Sequence, residues 1–168
     1  IYAVDLYGQR LQMVQQAARR LCLQSIRTLE ADGRRIDTRG LPDPDAVLVD
    51  APCTGLGVIR RLPEIKWRRS AGDPYRMQEL QLQLLDAAAR ILPAGGKLLY
   101  SVCSSEPEEG CKVVDNFSAT HSQFSLEECV PRLPHALQEK QENLRTVSLL
   151  PHYHNADGFF IALWTRKG

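Results

Sequence analysis

The sequence predicts an α/β fold built on a mostly parallel sheet. Three observations carry that expectation. Short apolar, β-branched runs alternate with segments whose apolar residues recur at helical spacing. Acids stand at or just after the ends of those runs, at Asp5, Asp32 and Asp50. Two runs also lead directly into cysteine-bearing loops, Asp50-Ala51-Pro52-Cys53-Thr54-Gly55-Leu56-Gly57 and Cys103-Ser104-Ser105. In open α/β sheets ligands bind at the carboxyl ends of strands, so those loops are where chemistry is expected.

The first strand is expected over Ile1–Asp5. A helix follows, with Leu11, Val14, Ala17 or Ala18 and Leu21 on one face and Arg10, Arg19 and Arg20 on others. Ser25–Glu30 reads as a second strand, and Ala31-Asp32-Gly33 as a turn. Pro42-Asp43-Pro44 breaks the chain before Val47-Leu48-Val49, a run that suits a strand covered on both faces. Acids in these positions serve equally for helix capping or for holding ribose hydroxyls.

Pro52 fixes its own φ and pushes Ala51 toward extended backbone, while Gly55 and Gly57 permit close backbone approach. A carboxylate and a thiol held beyond a rigid strand are placed for reaction; a structural turn with a buried cysteine is the competing reading. The next stretch carries Arg60, Arg61, Lys66, Arg68, Arg69 and Trp67. It suits phosphates and a stacked base, or a solvated loop with one anchoring Trp, and Pro63 argues against a long helix.

Asp73–Leu92 is the clearest helix. Met77, Leu80, Leu84, Ala88 and Ile91 form its apolar stripe, Asp73 caps it with Pro74 in the first turn, and Pro93 with Gly95-Gly96 ends it. Lys97–Val102 is the next strand. Ser105 and Glu108 have capping-box spacing, which puts Cys103 between a strand end and a helix N-terminus, where thiol pKa values fall. A helix is expected from Pro107 to about Thr120, with Val113, Val114 and Phe117 inward. Residues 122–150 read as loop and weak strand. His152 and His154 read as loop histidines without a metal cluster, and Asp157-Gly158 turns the chain into a last strand.

The bulk numbers narrow the classes. A chain of 168 residues fits one domain, spanning 1–168, with a real core. A net charge of +1 supplies no global basic field, so nucleic acid would be held by a local patch. Five scattered cysteines without CxxC spacing argue against a disulfide framework or a zinc site and for a reducing, cytoplasmic setting. No apolar run reaches membrane-spanning length, and no GxGxxG motif supports a nicotinamide-binding domain.

Taken in order, strand-Asp5, strand-Asp32-Gly33, strand-Asp50-Ala-Pro-Cys53, strand-Cys103-Ser and Asp157-Gly-Phe-Phe resemble the RNA cytosine-5 methyltransferases, and within them the Fmu/Sun type that acts on small-subunit ribosomal RNA. The resemblance covers nearly the whole chain. It implies a Rossmann-like, S-adenosylmethionine-dependent methyltransferase fold whose last strand is antiparallel. It implies Cys103 as the nucleophile that adds to carbon 6 of cytosine, Cys53 as the thiol that assists adduct breakdown, and Asp50 as the contact to the base. It gives the cofactor Asp5, Arg10, Asp32, Asp50 and Pro52, and RNA phosphates Arg60, Arg61, Lys66 and Arg68.

The DNA cytosine-5 enzymes use the Pro-Cys thiol instead, which would be Cys53, and action on transfer RNA or DNA stays open, as does a role as an RNA- or protein-binding module. The resemblance also carries expectations about the sequence outside. The family's first strand and glycine-rich loop would precede Ile1, together with an amino-terminal RNA-binding domain. On that reading the chain is a fragment that binds S-adenosylmethionine poorly and is open to dimerisation or strand exchange through an unfilled strand position. Gly110 stands where the family usually has Asn, which weakens the start of the following helix.

Overall fold

A computed structural model describes residues 1–139 and 141–168. The chain, expected to form one domain, divides into two compact units, Ile1–Pro42 and Asp43–Gly168. In the first, β1 (Tyr2–Asp5) leads into α1 (Gly8–Arg20) and then β2 (Arg27–Glu30). The two strands pair in parallel from Tyr2↔Arg27 to Asp5↔Glu30. Leu11 and Ala18 are the buried residues of α1, and Leu21, expected on the same face, is exposed just past its end. The second strand starts two residues later than the apolar run suggested, at Arg27. Asp32 caps a 3-10 turn over Gly33–Arg35 by accepting the Arg34 N–H at 3.0 Å.

The second unit is a five-stranded sheet packed on helices. Its elements are β3 (Ala46–Asp50), α2 (Ile65–Arg68), α3 (Asp73–Ile91), β4 (Lys97–Val102), α4 (Cys111–Thr120), β5 (Phe124–Leu126), α5 (His135–Gln138), β6 (Thr146–Leu149), α6 (Pro151–His154) and β7 (Phe159–Arg166). β3 and β4 are parallel, and β7 runs antiparallel to β4, as the sequence led us to expect. β6 and β5 share the far edge of β7 end to end, β6 against Phe159–Ala162 and β5 against Trp164–Arg166. Both therefore point the same way as β4, so only β7 is reversed. These two strands and α5 lie inside the stretch read as loop and weak strand; Lys140, within it, lies outside the described residues. His152 and His154 lie in α6.

The period of two along β4 and β7 sets the core. Leu98, Tyr100 and Val102 face α3 and α4, together with Phe160, Ala162 and Trp164. Trp164 is fully buried, donates its indole N–H to Ser118 Oγ at 3.0 Å and meets Phe117 edge-on at 4.9 Å between ring centroids. On the other face Leu99, Ile161 and Leu163 pack with Cys129, Val130 and Val147. As expected, Val113, Val114 and Phe117 point inward from α4.

Four local expectations fail for physical reasons. β3 is not covered on both faces: Val47 and Val49 pack into the core, but Leu48 on the opposite face is 61% exposed, because the helical layer of this unit lies on the Val47 and Val49 side. The most buried residues of α3 are Gln81, Leu85, Ala88 and Ala89. Met77, Leu80, Leu84 and Ile91 are only half-buried, because polar bonds made by Gln81 draw its side inward. Asp73 lies inside the first turn of α3, not before it, and its carboxylate accepts the Ser70 N–H at 2.9 Å. Finally, no Ser105–Glu108 capping box forms. Residues 107–110 make turns and α4 begins at Cys111, while Ser104 Oγ accepts the Glu106 N–H at 3.2 Å.

Candidate active site

Asp50 ends β3 and pairs in register with Ser101, next to the end of β4. The two parallel strands thus deliver two loops side by side. The Sγ atoms of Cys53 and Cys103 lie 3.3 Å apart, and Asp50 Oδ1 accepts a hydrogen bond from Ser101 Oγ at 3.3 Å. The three side chains expected to carry catalysis therefore sit on neighbouring strand ends, and Pro52, exposed, lends its carbonyl to Gln81 Nε2 at 3.0 Å.

The two thiols differ. The hydrogen bond from Cys53, aided by a backbone N–H, brings Cys103 down to about 7, against partial burial and the charges of Asp50 and Glu109. The same contact, with burial, pushes the Cys53 thiol up. The contact therefore favours a thiolate on Cys103 over one on Cys53. The expected cause of a reactive Cys103, a helix N-terminus, is not the operative one, since α4 begins eight residues later.

Behind the thiols lies a buried polar cluster that the sequence reading missed. Glu109 is fully buried and accepts from Thr54 N at 2.8 Å, Thr54 Oγ1 at 2.5 Å, Ser104 Oγ at 2.6 Å and Gln81 Nε2 at 3.1 Å. Its carbonyl accepts the Tyr100 hydroxyl at 2.6 Å. Burial, and then the neighbouring Glu109 carboxylate, push the Tyr100 hydroxyl far up. One signal was available: Gln81 is a polar residue four positions before Leu85 and seven before Ala88, on the buried side of an apolar helix. Nothing in the sequence distinguished Glu109 from Glu108, which is paired with Lys112 at 2.6 Å.

Glycine contacts close the arrangement. Gly158 N donates to Gly57 O at 2.7 Å, and Gly57 N donates to Cys103 O at 3.1 Å. A Cβ at Gly57 would collide with the Gly158 carbonyl oxygen and lie 2.9 Å from the Cys103 carbonyl carbon. Gly55 holds φ +76°, a left-handed turn that suits glycine.

The cationic stretch is less free than its charges suggest. Arg60 Nε and Arg61 Nε both bind Asp157, at 3.2 and 2.6 Å. Arg69 Nε donates to Thr54 O at 2.7 Å. Lys66 lies over the Trp67 ring at 5.6 Å, and Trp67 is 83% exposed, so it anchors nothing. Arg68 ends α2 and is exposed. A cavity of about 460 Å³ lies between this stretch, the start of α3 and the 106–108 turn, with Leu56, Ile59, Lys66, Arg69, Tyr75 and Glu106 in its walls.

The remaining predicted cofactor residues belong to the first unit. Asp5 Oδ1 accepts the Tyr7 N–H at 2.8 Å, and its Oδ2 lies 3.6 Å from Arg10. Asp32 is gripped by Arg34, with Nη2 to Oδ2 at 2.7 Å, and those bonds hold its carboxyl down at about 2. Glu30, opposite Asp5 in register, fills the space a Cβ on Gly8 would take, with Oε2 2.5 Å from it. Acceptor carboxylates at the ends of two adjacent parallel strands fit a group that presents hydroxyl donors. Among the described residues no group of three or more His, Cys, Asp or Glu side chains could hold a metal ion, and no helix is long and apolar enough to cross a membrane.

Known proteins share both sequence and architecture with this chain. It is 36% identical to the probable ribosomal RNA small subunit methyltransferase B of Bacillus subtilis (strain 168), over all of this chain and 38% of that protein. Its fold superposes on NSun6 from Pyrococcus horikoshii, solved with SFG, with a TM-score of 0.77 and 27% identity over 100% of this chain and 41% of that one. A methyltransferase homologue from Pyrococcus horikoshii gives 0.75 and 29%, over 100% and 53%. The α/β fold is thus the Rossmann-like fold of methyltransferases, and the chain spans about two fifths of the length of the Bacillus subtilis relative. Residues 1–165 match the family described as 16S rRNA methyltransferase RsmB/F, and on that match the chain belongs to this family.

Proposed function

We propose that the chain carries the catalytic thiols of an S-adenosylmethionine-dependent methyltransferase acting on carbon 5 of a cytosine in small-subunit ribosomal RNA. The observation that carries the reading is the Cys53–Cys103 pair, 3.3 Å apart beside Asp50 on adjacent strand ends. Carbon 5 of cytosine is a weak nucleophile. Addition of the Cys103 thiolate to carbon 6 moves the 5,6 double-bond electrons onto carbon 5, which can then accept a methyl group. The cofactor supplies that methyl as a sulfonium-bound electrophile. The proton on carbon 5 then leaves to a base and the carbon 6–sulfur bond breaks, returning its electrons to Cys103. Cys53 already hydrogen-bonds the Cys103 sulfur, so it is placed to stabilise the departing thiolate. Asp50 would engage the base edge where charge develops on addition.

Within the first unit, Asp5, Arg10 and Asp32 would serve the ribose and adenine of the cofactor. Arg60, Arg61, Lys66 and Arg68 would meet RNA phosphates, and the target base would leave its stack to reach the thiols. The names of the relatives favour ribosomal RNA over transfer RNA or DNA.

The test is covalent trapping on ribosomal RNA and, in parallel, on DNA. Cys53→Ala should accumulate a protein–RNA adduct that survives denaturing electrophoresis, and Cys103→Ala should form none. The opposite pattern would make Cys53 the nucleophile and overturn the assignment. Adducts on DNA alone would overturn the substrate.

A further inference from the structure

We propose that Glu109 is a positioning residue: its buried carboxylate sets the separation of the two thiols by tying the residue after Cys53 to the residue after Cys103. The inference deepens the two-thiol reading and rests on it. Its basis is the bonding pattern. One oxygen of Glu109 receives Thr54 N and Gln81 Nε2, and the other receives Thr54 Oγ1 and Ser104 Oγ. Thr54 follows Cys53 directly and Ser104 follows Cys103 directly. The two loops come from different strands, and one carboxylate, fully shielded from solvent, bonds both.

Two further ties hold the acid itself. Tyr100, inside β4, donates to the Glu109 carbonyl, and Gln81 joins the carboxylate to the Pro52 carbonyl from α3. A surface acid would not collect four donors from three segments, and leaving them unsatisfied when buried is costly. Among the described residues the Glu109 carboxylate bonds Thr54, Ser104 and Gln81 and neither sulfur, and its charge opposes a Cys103 thiolate, so any support it gives that thiolate passes through geometry.

The consequence is readable without RNA or methyl donor. The contact with Cys53 is what lowers the Cys103 thiol, and that contact requires the spacing. The charged and titratable groups facing Cys103 are Cys53, Asp50 and Glu109, with Tyr100 behind them on β4 facing Cys53 and Glu109. The experiment follows the pH dependence of Cys103 alkylation by iodoacetamide, resolved by peptide mass spectrometry on the full chain. Wild type should show a midpoint near 7.

Glu109→Ala should move that midpoint up toward the ordinary thiol value of about 8.5. Glu109→Gln should not move it up. Its carbonyl still accepts the Thr54 N–H, the Thr54 and Ser104 hydroxyls, 3.4 Å apart, can bond each other, and the nearby negative charge is gone. Cys53→Ala sets the full size of the shift. An unchanged midpoint in Glu109→Ala, an equal upward shift in both Glu109 variants, or no shift in Cys53→Ala would each overturn the proposal. If Glu109→Ala does not fold, as read by the near-ultraviolet signal of buried Trp164, Ser104→Ala decides: a raised midpoint supports the clamp and an unchanged one refutes it. Trapping of RNA is a separate assay, so failure of the clamp and failure of the two-thiol reading give different results.

Discussion

Replacing Gly57 by Ala perturbs the place where three segments of the second unit meet. The added Cβ would strike the Gly158 carbonyl oxygen, lie 2.8 Å from the Gly158 carbonyl carbon and 2.9 Å from that of Cys103. All three are backbone atoms, so no flexible side chain can swing away. Relief requires the 57, 103 and 158 backbones to separate, which loosens the Gly158 N to Gly57 O and Gly57 N to Cys103 O bonds. Overpacking of this kind costs about 1–3 kcal/mol and partial loss of the two bonds about 1 kcal/mol together, for a total of about 3 kcal/mol. At roughly 2–4 °C per kcal/mol for a chain of this size, the melting temperature should fall by about 6–12 °C. The assay is thermal unfolding followed by near-ultraviolet circular dichroism, which reports on Trp164 because the other tryptophan, Trp67, is exposed. Gly72→Ala is the control. A Cβ there meets nothing within 4 Å and φ is −84°, so its cost should stay below about 1 kcal/mol. Gly57→Ala melting together with Gly72→Ala would refute the close-contact argument.

Other consequences follow from the same geometry. In Cys53→Ala, the Cys103 thiolate fraction at pH 7 should drop from about half to a few per cent as its pKa rises toward about 8.5, while each thiolate becomes about fivefold more nucleophilic. Alkylation of Cys103 should therefore be about threefold slower at pH 7 and about fivefold faster above pH 9.5, so the two pH profiles cross. Curves that run parallel would show that Cys53 does not hold the thiolate. Asp157 holds Arg60 and Arg61, yet both arginine side chains remain well exposed. If they meet phosphates, Arg60→Ala with Arg61→Ala should lower the dependence of log affinity for single-stranded RNA on log salt by about 1.4. Salt titrations of equal slope would remove these two arginines from the RNA surface.

Much of the fold was legible in the sequence because it is encoded locally. The run Lys97–Val102 gave β4 at its observed bounds, and the β-branched run ending in Asp50 gave β3. Pro93 and the Gly95-Gly96 pair ended α3 where expected, with Gly95 at φ +82°. The same local signals misjudged burial. Leu48 reads as core by composition, and only the packing of the helical layer shows that one face of β3 is left uncovered. The stripe on α3 was misplaced because apolar spacing ignores a polar residue that finds partners, as Gln81 does.

The sequence by itself determined which side chains stand at the strand ends: two cysteines, an acid before the first of them and a cluster of cations after it. Backbone propensity and motif order suffice for that, since each signal spans only a few neighbouring residues. Only the tertiary structure decided how those residues act on one another. It placed Cys53 and Cys103, fifty positions apart, within 3.3 Å, so that the contact lowers the Cys103 thiol and raises the Cys53 thiol. It also buried Glu109 between their loops and turned Asp157 onto two arginines. Those relations depend on hydrogen bonding and exclusion of water between segments distant in sequence, which no local pattern encodes.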